Sequence, residues 1–226
     1  MLEDRYGMPL TTTSPMAVDL YVLALDRFLA QRSGVDGLAR RALEHDDQFA
    51  FAWLLLALDQ QQREEAEGAA ESMARVHALA KNMDDRERSA VSALAQIGVA
   101  PLPQAESALR QHLDRWPRDV LVLMQAAFFY GIRDSRADRV ARHLRLYEDV
   151  KPAYGDDWFF LGQYAFGCEE DRQYQLAEEL AQRSLEANSQ NAAAAHAYAH
   201  VLLETGQPER GAQWLEEWLT AWKDPG

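Results

Sequence analysis

The stretch that decides the fold covers residues 158–188 and reads WFFLGQYAFGCEEDRQYQLAEELAQRSLEAN. Its apolar and small residues fall at helical spacing in two consecutive blocks, Trp158, Leu161 and Gly162, and then Ala177, Ala181 and Leu185. Related blocks recur at a period of ~34–37 residues, the length of a tetratricopeptide-like helix pair. One copy lies earlier in the chain and another at its end: Ala105, Leu109, Leu113 and Pro117, and then Gly206, Gly211 and Leu215. This recurrence predicts a stack in which each pair packs on its neighbours.

We therefore predict an all-α fold, a right-handed α-solenoid of about six tetratricopeptide-like helix pairs. Residues 1–13 are predicted to form an extended leader, and residues 14–226 the helical repeats of a single domain. Residue types that favour helices dominate the composition, and no sustained alternating strand pattern appears. Capping residues mark several helix starts: Ser14 before Pro15, then Asp36, Asp84 and Asp119.

These signals predict about a dozen helices. The first six cover residues 14–31, 36–43, 48–61, 64–81, 84–97 and 103–116. The remaining six cover residues 119–131, 135–147, 158–168, 174–188, 191–205 and 208–222. A loop that contains Pro152 and Gly155 is predicted to separate the eighth helix from the ninth, because proline commonly follows a helix end.

Composition and charge exclude several classes of partner. The chain has 226 residues, of which 48% are hydrophobic, and a formal net charge of −13. Such a charge repels nucleic-acid backbones and anionic lipid, so we predict neither nucleic acid nor a membrane as a partner. The apolar stretch Phe49–Leu58 is too short to span a bilayer, and the acidic N-terminus carries no secretory signal. We predict a cytoplasmic protein, in which the one cysteine, Cys168, is a small buried side chain.

Several motifs resemble the tetratricopeptide repeat protein 38 family, in the family's order and over essentially the whole chain. They are Asp4-Arg-Tyr-Gly-Met-Pro-Leu-Thr-Thr-Thr-Ser-Pro with Ala17-Val-Asp-Leu-Tyr, Asp134-Ser135 with Arg139-Val-Ala-Arg142, Tyr164-Ala-Phe-Gly167, and His196-Ala-Tyr-Ala-His200-Val-Leu. The resemblance implies a helical-repeat fold and no assigned activity. Family members are usually about twice as long, so we expect either a truncated chain or a natural half-length relative.

Two histidines four residues apart, His196 and His200, are the most specific candidates for a site. That spacing places both imidazoles on one helix face, and Glu204 continues the same face. The repeat register points this face into the concave groove. Three interpretations stay open: packing, contact with a ligand, or a metal site. The resemblance implies a Glu where this chain has Leu203, and a His-Asp in the helix of Met124–Tyr130 that this chain lacks, and both departures weaken a metal or catalytic interpretation.

The predicted groove site therefore combines charged, amide and aromatic side chains: His196, His200, Glu204, Tyr198, Phe159, Gln163 and Tyr130. We assign no catalytic residue, no metal ligand and no cofactor. No phosphate-binding loop, dinucleotide glycine motif, HExxH or nucleophile elbow is present.

Two further stripes follow helical spacing. Arginines recur at every third position: Arg133, Arg136, Arg139, Arg142 and Arg145. A solvated helix paired with Asp134 and Asp138 is the favoured interpretation, and an acidic ligand is the alternative. Tryptophans recur at every fourth position of the last helix: Trp214, Trp218 and Trp222. They are predicted either to pack inward or to form a homodimer interface.

The leading functional prediction is a scaffold protein whose concave groove holds a peptide or protein partner. One alternative is an enzyme, or a small-molecule or metal-binding protein, that uses the groove histidines. Another is a structural unit that associates with itself. The residues alone leave all three open.

Overall fold

The computed structural model describes residues 2–222, and at Trp222 only the backbone. These residues form a two-stranded hairpin and twelve α-helices. The strands are β1 (Leu2–Glu3) and β2 (Pro9–Leu10). The first six helices are α1 (Pro15–Leu29), α2 (Val35–His45), α3 (Ala50–Gln62), α4 (Ala66–Ala78), α5 (Asp85–Gln96) and α6 (Leu102–Arg115). The others are α7 (Val120–Phe128), α8 (Arg139–Tyr154), α9 (Trp158–Glu170), α10 (Tyr174–Ala187), α11 (Ala192–Glu204) and α12 (Pro208–Trp222).

The prediction of an all-α fold is confirmed, and helices that are consecutive in sequence pack on one another. The chain divides into two compact units. Unit 1 comprises Met1–Phe28 and Arg32–Ala126, and unit 2 comprises Leu29–Gln31 and Ala127–Gly226. No helix in the described part of the chain is both long and apolar enough to cross a bilayer.

The leader of unit 1 is a packed hairpin, whereas a simple extended segment was expected. β1 and β2 pair antiparallel, with Leu2 opposite Leu10. The backbone turns back between them because the Asp4 carboxylate accepts hydrogen bonds from the amides of Tyr6 and Met8, at 2.8 and 2.9 Å. Tyr6 and Leu10 are buried, so the leader contributes to the core of unit 1.

A buried polar network also holds unit 1 together. The Arg86 guanidinium donates to Asp119 at 2.6 Å and to the carbonyl of Pro9 at 2.8 Å. His112 lies between two partners, with Nε2 3.1 Å from Asp119 and Nδ1 2.9 Å from the Ser89 hydroxyl. Asp119 was expected to be a helix cap. It directly precedes α7, as expected, and its backbone carbonyl accepts from the amide of Leu123 at 3.0 Å, while its carboxylate joins the buried network.

The helices of unit 2 pack closely enough to need a glycine. A β-carbon at Gly162 would clash with the Asn191 side chain and would lie 3.2 Å from both Ala194 Cβ and Ser184 Oγ. The Asn191 amide donates to the Trp158 carbonyl at 3.1 Å and to Ser184 at 2.9 Å, which links α9, α10 and the start of α11. The prediction of a close crossing at Gly162 is therefore confirmed.

The region from α7 to α8 differs most from the predicted helix boundaries. α7 ends at Phe128 and continues as a π-helical turn, Phe129–Arg133. α8 was expected over residues 135–147 but covers Arg139–Tyr154 and contains Pro152 in its last turn. Burial of Val150 and Tyr154 keeps this segment helical despite the proline, and Gly155, with φ of +57°, ends it. α2 begins after Gly34, in the left-handed conformation, two residues before the predicted cap at Asp36.

Candidate functional site

One side of α11 is covered and the other is not. Asn191 caps the helix by accepting from the amide of Ala193 at 3.2 Å. The covered side packs on α9, α10 and α12 and includes Ala194, Ala197, Val201 and Leu202. The other side carries His196, Ala199, His200 and Leu203, at the i, i+3, i+4 and i+7 positions of one helical stripe. These four residues and Phe166 of α9 are partly or fully exposed, and we call them the α9–α11 face.

The two histidines meet at their ring nitrogens. Their Nε2 atoms lie 3.0 Å apart, and the rings cross nearly at right angles with centroids separated by 4.4 Å. The Phe166 ring stacks on the His196 ring, with centroids 5.3 Å apart, and its centroid lies 6.5 Å from that of the His200 ring. A residue of α9 therefore helps to orient the pair. The expected proximity of the two ring nitrogens is confirmed, and the assignment of their helix face to a concave groove stays a prediction.

A buried carboxylate lies behind His200. Glu169 Oε2 is 3.6 Å from His200 Nδ1, and the Glu169 side chain is only 7% exposed. Burial raises the pKa of Glu169, while the neighbouring His200 opposes that rise. Burial also lowers the pKa of His196, and the proximity of His200 lowers it further. Both effects favour an uncharged His196 imidazole.

Glu204 lies at the end of α11 and is exposed. Its carboxylate accepts from the Tyr174 hydroxyl at 3.4 Å. Among the described residues no group of three His, Cys, Asp or Glu side chains is placed to hold a metal ion, so Glu204 does not complete such a group with the two histidines. It does keep the C-terminal end of the α9–α11 face negative.

Four predicted groove residues, Phe159, Tyr130, Gln163 and Tyr198, are buried, which corrects the expectation that they line a binding groove. Phe159 and Tyr130 are 0% and 1% exposed, so neither side chain offers surface to a partner. α9 is enclosed on most sides because α8, α10 and α11 all pack on it. Gln163 accepts from the Tyr147 hydroxyl at 3.4 Å. Tyr198 packs edge-on against Trp214 at 4.7 Å and accepts from Arg210 at 3.2 Å.

Two histidines that sequence reasoning left without a role lie in buried networks. In unit 2, His143 Nε2 is 2.8 Å from the Tyr147 hydroxyl, and its ring stacks on Tyr130 at 5.1 Å. Burial lowers the pKa of His143 to about 3, so the ring stays neutral. No short sequence motif marks His143 or the second of these histidines, His112, because the role of each depends on contacts between separate helices.

The second is His112, which bridges Ser89 and Asp119 in unit 1. The order Ser89, His112, Asp119 resembles the nucleophile, base and acid of a catalytic triad. However, Arg86 pairs with Asp119 at 2.6 Å and compensates its charge, and His112 is 1% exposed. The arrangement therefore links α5, α6 and α7 as a structural network.

The expected local ion pairs form, but the arginine stripe does not lie on one helix: Arg133 ends the π-helical turn, Arg136 lies in the following loop, and α8 begins at Arg139. Arg136 binds Asp134 with two hydrogen bonds, at 2.7 and 2.6 Å, and Arg142 pairs with Asp138 at 2.8 Å. Arg139 pairs with Glu170 of α9 at 2.9 Å. The Arg136 contacts lower the pKa of Asp134.

The tryptophan stripe makes contacts within unit 2. Trp214 packs on Tyr198, and the Trp218 indole donates to the Ser189 carbonyl at 2.8 Å. Both side chains remain partly exposed, and the Trp222 side chain lies outside the described residues. The homodimer interface stays a prediction.

Cys168 is buried, as expected, and burial raises the pKa of its thiol to about 12.

A scan against protein-family models finds no family that matches this chain.

Proposed function

We propose that this chain is a non-catalytic scaffold protein that binds a basic, partly apolar peptide segment of a partner protein on the α9–α11 face. The observation that carries the proposal is the uncovered stripe of α11. Leu203 is 56% exposed there, and it follows two partly exposed imidazoles on the same side of the helix. An apolar side chain beside polar ring nitrogens is a typical anchor point for a peptide.

The proposed repeat architecture supports this location. We propose a right-handed α-solenoid of about six tetratricopeptide-like pairs, in keeping with the resemblance to the tetratricopeptide repeat protein 38 family. In that arrangement α9 and α11 are the first helices of consecutive pairs, and α9 packs directly on α11. Stacked pairs of this kind use their concave side for extended ligands.

The charges near the face favour a basic segment. Glu169 lies beneath His200, and Glu204 follows Leu203 at the end of α11. The whole chain carries a net charge of −13, which steers cationic peptides toward it. We expect Lys or Arg of the peptide near Glu204 and an aliphatic or aromatic residue against Leu203 and Phe166.

Peptides selected from a random displayed library against the wild-type protein provide the test. Their affinities are then measured for three variants that each replace an exposed leucine: Leu203→Glu on α11, Leu219→Glu on α12 and Leu23→Glu on α1. These leucines are 56%, 44% and 55% exposed, so the changes are closely matched. We expect Leu203→Glu to weaken binding at least about tenfold, which is about 1.4 kcal/mol. The two control variants should bind as the wild type does.

The selected sequences provide a second readout. The proposal predicts an excess of Lys and Arg together with an apolar anchor, and affinity that falls as salt is added. Selection of acidic peptides, or of peptides that bind Leu203→Glu and the wild type equally well, would contradict the proposed face.

A further inference from the structure

The Nε2 atoms of His196 and His200 also have a spacing that suits a metal ion. The two Nε2 atoms are 3.0 Å apart, the distance of an N–H···N hydrogen bond whose donor depends on the tautomers of the rings. A metal ion that takes the place of the shared proton would be bound by both nitrogens. In a tetrahedral site with metal–nitrogen bonds of 2.0–2.1 Å, two nitrogen ligands are about 3.3 Å apart. The observed separation is within a few tenths of an ångström of this value.

Glu169 supplies an independent observation. Its Oε2 atom is buried and has no hydrogen-bond partner among residues 2–222, although the side chain is 7% exposed. The nearest ring nitrogen is His200 Nδ1, at 3.6 Å. A metal on Nε2 of a neutral imidazole requires the ring proton to be on Nδ1, where it can be donated to this oxygen. In metal sites, a carboxylate commonly accepts a hydrogen bond from the ring nitrogen of a ligating histidine that does not bind the metal.

Phe166 makes the pair rigid. It stacks on the His196 ring with an interplanar angle of 26° and also contacts His200. A ring that is already oriented loses less conformational entropy when a ligand binds. The pair is therefore organised from three directions: by its spacing on α11, by Phe166 and by Glu169.

We infer that His196 and His200 bind a divalent transition-metal ion through their Nε2 atoms, with Glu169 as the hydrogen-bond acceptor of His200. Imidazole nitrogen favours Cu²⁺, Zn²⁺ and Ni²⁺ over Mg²⁺ and Ca²⁺. No group of three His, Cys, Asp or Glu side chains forms a metal site in the part of the chain that the structure describes. Water or a partner's side chain therefore completes the coordination, and the affinity is that of a two-histidine site. This inference stands on the pair alone and does not depend on the proposed peptide.

The test titrates chelator-treated full-length protein with Zn²⁺ and, separately, with Cu²⁺, and follows binding by calorimetry. We expect one site that loses at least about tenfold in affinity in His196→Ala and in His200→Ala. The matched control is His77→Ala, because His77 is an exposed histidine on α4 of unit 1. It should retain the wild-type affinity. Circular dichroism of each variant checks the fold.

A further variant distinguishes the proposed site from a generic histidine pair. Glu169→Gln keeps both ligands and the side-chain shape but removes the charge behind His200. It should weaken Zn²⁺ binding by about tenfold. The Cu²⁺ complex should also show the hyperfine pattern of two equivalent nitrogens in electron paramagnetic resonance. No saturable binding by about 100 µM metal, or equal binding by the wild type and His196→Ala, would overturn the inference.

Discussion

The two units use polar side chains in opposite ways. Unit 1 buries charges: Arg86 and Asp119 are each 2% exposed and form an ion pair, with Pro9 and His112 as further partners. Unit 2 links its helices mainly with neutral polar groups, such as Asn191, Ser184 and the His143–Tyr147 pair. Its buried carboxylates, Asp134 and Glu169, lie beside the partly exposed cationic or imidazole groups of Arg136 and His200. Its paired histidines are instead partly exposed on α11.

This difference helps to locate function. A buried charge that already has its partners stabilises one arrangement of helices, but it offers little to a ligand. The histidines of the α9–α11 face are accessible, oriented by Phe166 and backed by a buried carboxylate. This difference supports the proposed location of binding in unit 2, and the following predictions test the contrast between the units in order of decreasing effect.

The largest effect should come from the buried ion pair of unit 1. Arg86→Met keeps most of the side-chain volume but leaves Asp119 without its cationic partner, which should cost about 3–5 kcal/mol in the free energy of unfolding. The matched control in unit 2 is Arg183→Met, which removes an exposed pair with Asp156. That change should cost less than about 1 kcal/mol. Urea unfolding of both variants measures the difference, and equal costs would contradict the contrast between the units.

The next effect concerns close packing in unit 2. Gly162→Leu places a side chain against buried Asn191, Ser184 and Ala194, and overpacking of this kind should cost about 3 kcal/mol. Gly37 of α2 is the matched control in unit 1, because a β-carbon there meets no atom within 4 Å. Gly37→Leu should leave stability unchanged or raise it by up to about 1 kcal/mol. An unchanged melting temperature in Gly162→Leu would show that the crossing is not close.

Two buried groups, His143 in unit 2 and Asp4 in unit 1, should change the stability of the protein with opposite signs as the pH changes. Unfolding raises the pKa of His143 from about 3 to its ordinary value of 6.5. Its burial therefore stabilises the protein above pH 6.5, and this contribution is lost as the pH falls toward 3. Between about pH 7.5 and pH 5 the loss is about 2 kcal/mol. His143→Gln cannot titrate, so the stability difference between wild type and variant should change by that amount.

Asp4 of unit 1 has the reverse sign. Burial raises its pKa from 3.8 to about 6, against the hydrogen bonds from Met8 and Tyr6. Its protonated form stabilises the protein below pH 3.8, and this contribution is lost as the pH rises through 6. Relative to Asp4→Asn, the wild type should lose about 1 kcal/mol between about pH 5 and pH 7.5. Changes of the same sign for Asp4 and His143 would contradict the comparison.

Helical periodicity and capping residues were enough to predict the helical class and the start of α12 at Pro208, because those signals are local. The same is true of Gly162, whose small size in a repeat of bulky residues predicts a close crossing. The length of α8 could not be predicted, because packing of Val150 and Tyr154 outweighs the local effect of Pro152.

The candidate site could be predicted only in part. The i, i+4 spacing was sufficient to bring His196 and His200 together. Glu169 was missed because its proximity to His200 arises from packing of α9 on α11, which no short motif records. Phe159 and Tyr130 were assigned to a groove because aromatic residues suit both cores and binding surfaces, and in this chain they belong to the core.

The most direct test of the account locates the bound peptide. A photoreactive phenylalanine derivative is placed at Leu203 in one sample and, as a matched control, at Leu23 of unit 1 in another. Both are illuminated with a library-selected peptide present at saturation. The account predicts a cross-linked product from position 203, its loss on competition with unlabelled peptide, and no specific product from position 23. A specific product from position 23, with none from position 203, would contradict the assignment of binding to the α9–α11 face of unit 2.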